Sequence, residues 1–129
     1  MILRLALVLL TFATPLRAEI AIQEVTSPGG IKAWLVEDHN IPFTALEIHF
    51  RGGTSLDLPG KRGAVNLMTA TLEEGAADMD AVGFATARDA LAAKIGFSVG
   101  SDEVSVSAQM LTENRGAALD LLRLALTQP

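Results

Sequence analysis

The chain has 129 residues, enough for one domain, and half of them are apolar, enough for a core. Its formal charge is −5 with no basic cluster, which argues against a nucleic-acid backbone as partner. It has no cysteine, so disulfides and thiolate metal sites are excluded.

Residues 1–18 read as a secretory signal peptide. Arg4 supplies the positive start, Leu5 to Ala13 the apolar run, and Ala18 a small residue before the cleavage point. The run is short for a bilayer span, so no stable membrane span is expected after cleavage; an uncleaved anchor is the alternative. Cleavage removes Arg4 and Arg17 and leaves 8 basic against 15 acidic residues, a net charge of −7. The leader places the protein in the periplasm or outside the cell, and residues 19–129 form the mature part.

Glu19 to Ser27 and Ile31 to Glu37 are predicted strands, joined by the turn signal Pro28-Gly29-Gly30. Trp34 reads as a core or sheet-face aromatic, with exposure at a partner surface as the alternative. After the loop Asp38 to Pro42, Thr44 to Phe50 alternates, with Leu46, Ile48 and Phe50 on one face and Glu47 and His49 on the other. Gly52-Gly53-Thr54 closes that strand. It lacks the spacing and following helix of a phosphate loop, so a tight turn is expected. A polar loop with Lys61-Arg62 leads into a helix over Gly63–Leu72, with Val65, Met68, Thr69 and Leu72 at helical spacing and Met68 filling core. Gly75-Ala76-Ala77 ends it.

Asp80 is a predicted N-cap for a helix over Ala81–Lys94, with Val82, Ala85, Leu91 and Ile95 facing inward and Gly96 ending it. Phe97 to Gly100 and Val104 to Met110 are predicted strands around the turn Ser101-Asp102-Glu103. Glu113-Asn114 opens a last helix whose apolar side is Ala118, Leu121, Leu122 and Ala125. The order implies an α+β fold, a mixed or antiparallel sheet with helices packed on one face. No linker or repeat divides it.

These segments resemble the N-terminal domain of the insulinase/pitrilysin family of zinc metallopeptidases, which includes the mitochondrial processing peptidases. The likeness rests on the strand Gly30 to Asp38, on Ile41-Pro42-Phe43, on Phe50-Arg51-Gly52-Gly53-Thr54, on Pro59-Gly60-Lys61-Arg62-Gly63, and on the tail Leu111 to Pro129. Active members carry His-x-x-Glu-His on the helix that follows, two imidazoles for Zn²⁺ and a Glu to activate water. Those five places read Asn66-Leu67-Met68-Thr69-Ala70 here. The ligand positions map to Asn66 and Ala70 and the base to Thr69, so no catalytic, metal or cofactor residue carries over. The family's third ligand, a downstream Glu, falls beyond Pro129. The resemblance therefore implies a partial N-terminal domain of a non-catalytic homologue. Its expected partner is an active insulinase-family subunit, in a heterodimer that handles peptide substrates. An active zinc metallopeptidase with divergent ligands, and an exported interaction module without a proteolytic role, are the alternatives.

No individual side chain strengthens the catalytic alternative. His39 lies in a predicted loop and His49 on the polar side of a strand, too dispersed for a metal site. Glu73 and Glu74 are adjacent on a helix, and their directions differ by about 100°, so they do not converge. Lys61-Arg62 reads as a solvated loop, or as a contact for an acidic partner.

Overall fold

The computed structural model describes residues 21–129. The expected leader therefore lies outside the described residues. The described residues divide into two compact units, the first ending at His39 and the second Asn40–Pro129.

In the first unit, β1 (Ile22–Thr26) and β2 (Lys32–Val36) form an antiparallel hairpin that pairs Ile22 with Val36 and Thr26 with Lys32. The expected turn closes it. Ser27 N–H donates to the Ile31 carbonyl at 2.8 Å, and Gly30 takes φ 84°, a conformation open to glycine. Trp34 is 84% exposed.

The second unit is built on a three-stranded antiparallel sheet in the order β3 (Phe43–Arg51), β7 (Glu103–Leu111), β6 (Lys94–Val99). Register puts Ile48 opposite Val106 and Phe97 opposite Val106 on the other side, so one face is continuously apolar. Three helices complete the unit: α1 (Ala64–Thr71), α2 (Ala81–Ala90) and α3 (Arg115–Thr127). The core joins Phe84 of α2 and Ala118, Leu121, Leu122 and Ala125 of α3 to Ile95, Val106, Ala108 and Met110, with Leu46 and Ile48 against it. The inward set expected for α3 is the set observed, and the fold is α+β as expected.

Three local expectations are corrected. The second helix stops at Ala90 rather than Lys94. Ala92, at φ 49°, turns the chain; its N–H reaches Asp89 O at 3.0 Å and Ala93 N–H reaches Arg88 O at 3.1 Å. That is a Schellman closure with alanine where glycine is usual, so the sequence carried no stop signal. Ile95 and Gly96 consequently lie in β6. On the same helix Val82 is 73% exposed while Phe84 is fully buried. The inner stripe is Phe84, Ala87 and Leu91, spaced by three and four residues. On α1, Met68 is 49% exposed and fills no core. Some elements were not foreseen as regular structure, among them a 3-10 turn at Thr54–Leu56. β4 (Gly75–Ala76) and β5 (Met79–Asp80) form a two-strand hairpin, and a 3-10 turn at Thr112–Asn114 precedes α3. The Asp80 cap is present, its carboxylate accepting Gly83 N–H at 2.8 Å.

Candidate functional site

The approach to α1 is fixed by an aspartate that the sequence did not single out. Asp57 reaches forward to accept Gly63 N–H and, at 3.0 Å, Val65 N–H, so a loop carboxylate caps a helix whose own N-cap is Gly63. These two backbone donors, Val65 foremost, hold the Asp57 carboxyl below its ordinary pKa. The sign follows directly. A depressed folded-state pKa gives stability that is complete above the unfolded-state value and is lost as pH falls through the folded one. We expect Asp57→Ala to lower the melting temperature at neutral pH, and the gap from the parent chain to narrow once the solution is acidified below the ordinary carboxylate range. A gap that stays constant with pH would show that the charge does not contribute.

On α1 itself, Asn66 and Ala70 are exposed, one helical turn apart. Thr69 between them is 4% exposed, and its Oγ1 donates to Val65 O at 2.9 Å. The residues in the zinc-motif positions therefore offer an amide, a methyl and a hydroxyl already engaged by the helix backbone. This donor set does not fit Zn²⁺, which takes imidazole, thiolate or carboxylate. Among the described residues no group of three His, Cys, Asp or Glu could hold a metal ion.

The remaining candidates fall in separate places. His39 Nε2 lies 3.5 Å from Glu37 in the first unit. Glu73 pairs with Arg88 at 3.3 Å, which takes it away from its exposed neighbour Glu74. Gly52-Gly53-Thr54 forms a turn and no anion cradle. The N–H groups of Gly52, Thr54 and Ser55 go to the carbonyls of Asp102, Gly100 and Ser101 at 2.7, 3.0 and 2.9 Å, so none is free for phosphate.

His49 does meet a hydroxyl and a carboxylate. Ser105 Oγ is 3.4 Å and Glu103 Oε2 3.3 Å from its Nδ1, and Ser105 Oγ donates to Glu103 Oε1 at 3.5 Å. A relay from hydroxyl to base to acid uses both ring nitrogens. Here both partners approach the same one, so the cluster is a surface hydrogen-bond set without nucleophile activation.

These residues sit on the sheet face away from the helices. Cross-strand rows run His49–Ser105–Ser98, Glu47–Ser107–Gly96 and Ala45–Gln109–Lys94. A shallow groove crosses them. Alternation along each strand marked its polar side, but only the register of β6 against β7 brings the three strands into one surface.

No family model matches the chain. Over 93 residues it is 28% identical to the non-peptidase homolog YmxG of Helicobacter pylori, which covers 72% of this chain and 22% of that protein. The crystal structure of a peptidase M16 inactive domain from Pseudomonas fluorescens superposes with a TM-score of 0.76 at 28% identity. That match covers 85% of this chain and 28% of the other. The chain is similar to non-catalytic, M16-like domains. The M16-like α+β architecture and the missing zinc motif are thus found together. The chain spans less than a third of the length of either protein, by the same coverages.

Proposed function

We propose that this chain is the non-catalytic half of a peptidase pair, exported to the periplasm, where it helps an active zinc peptidase to enclose and position peptides. The observation that carries the reading is α1. It keeps its place after the β3 turn, capped by Asp57, while the metal-binding positions hold Asn66 and Ala70 and the base position holds the buried Thr69. A helix kept without its ligands fits a role in shape and contact. Peptide enclosure suits a sheet-based domain, because an extended chain can add to a strand edge. The similarity to a non-peptidase homolog and an inactive M16 domain supports the non-catalytic half of the reading.

The test is co-expression of the full-length product with a homologue that retains His-x-x-Glu-His, followed by peptide-hydrolysis assays of each alone and of the pair. Hydrolysis should need both chains, or rise several-fold when both are present. Activity of the homologue alone, unchanged by this protein, would overturn the pairing and leave the exported interaction module. Stoichiometric zinc and cleavage by this chain alone would restore the divergent-ligand peptidase.

A further inference from the structure

The polar face of the β3–β7–β6 sheet holds a depression of about 390 Å³ beside a second of about 450 Å³, and Glu47, Gly96 and Ser107 line both. Gly96 lines the groove without a side chain, and a Cβ there would stand 3.2 Å from Ser107 Oγ. Glu47 lies across β7 from this gap, in the row Glu47–Ser107–Gly96. Its neighbours are already engaged. His49 faces Glu103 and Ser105, and Ser107 Oγ donates to Gly96 O at 3.5 Å. Among the described residues the Glu47 carboxylate has neither an ion-pair nor a hydrogen-bond partner.

The geometry points to a site for one cationic side chain, lysine or arginine, of an extended peptide laid along these strands. This names a substrate feature for the peptide-handling role proposed above and rests on that reading. An unpaired carboxylate, with the Ser98, Ser105 and Ser107 hydroxyls lining the same groove, offers charge and acceptors to a donor-rich cation. Lys94 lies one row further along the groove, about 7 Å from Gly96 along β6 at the usual strand rise. Its charge opposes a second cation there and favours a neutral or acidic residue. The groove thus reads one positive charge beside a position that disfavours a second.

The pair would be solvent-exposed, so its effect is a modest selectivity. The experiment is an amide-shift NMR titration of this chain alone with an extended peptide carrying one lysine, and with the same peptide carrying norleucine. The lysine peptide should shift the amides of Glu47, Gly96 and Ser107 and bind about threefold tighter. The preference should shrink at high salt and vanish in Glu47→Gln. Equal binding of the two peptides, shifts elsewhere, no shift with either, or a preference retained in Glu47→Gln would each overturn the site. Because no active homologue takes part, failure here is distinct from failure of the paired assay.

Discussion

Phe84→Ala should cost about 3–5 kcal/mol of folding stability, the usual range for removing a fully buried aromatic from a core. Phe84 has no exposed surface and joins α2 to the residues of β6, β7 and α3 in one cluster. Truncation loses its transfer energy and leaves a cavity between helix and sheet that close-packed neighbours fill only in part. Domains of this size are stable by about 5–15 kcal/mol in total, so the variant should unfold at a much lower urea concentration. Val82→Ala, two residues earlier and 73% exposed, should move the midpoint little. The pair of variants separates the two possible faces of α2. The opposite ranking would mean that the helix is rotated and that Val82 points into the core.

Gly53→Ala should be nearly as damaging, about 3 kcal/mol by the range for overpacking, through a different mechanism. The added Cβ would stand 2.2 Å from Gly100 O and 2.9 Å from Glu103 N. Both are backbone atoms of the tight β6–β7 connection, so no side chain can rotate away. Relief requires the turn to move, and the turn is held by the three hydrogen bonds from Gly52, Thr54 and Ser55. Hydrogen exchange should therefore speed up at those amides along with the drop in denaturation midpoint. Gly60→Ala is the contrast. No atom lies within 4 Å of its added Cβ, and only the positive φ of 80° is penalised, at about 1–2 kcal/mol. Equal losses at the two positions would assign the effect at Gly53 to backbone freedom and not to close approach.

The sequence was most legible where pattern and packing agree. The alternation in β3 and β7, the inner stripe of α3 and the Asp80 cap follow from periods and turn chemistry that need no tertiary information. Reading failed where a local signal was absent or ambiguous. Ala92 ends α2 in a conformation that alanine rarely adopts, so the apparent helical spacing of Leu91 and Ile95 crossed a real boundary. Met68 fits a core stripe by spacing alone, yet it lies on the side of α1 that remains exposed. Asp57 looked like one more polar loop residue, because its two acceptors are satisfied only after the chain folds back on Gly63 and Val65.

The covalent order of side chains by itself determined what the protein lacks at α1: Asn66, Thr69 and Ala70 present no imidazole or carboxylate in any fold. It also determined the α+β class, since hydrophobic period is a local property. Only tertiary structure decided which polar groups meet. The groove at Glu47, Gly96 and Ser107 exists because antiparallel register sets residues far apart in the chain side by side, and register depends on the burial of the opposite face. The same packing placed Phe84 inside and Val82 outside, a choice between two helix faces that spacing left open.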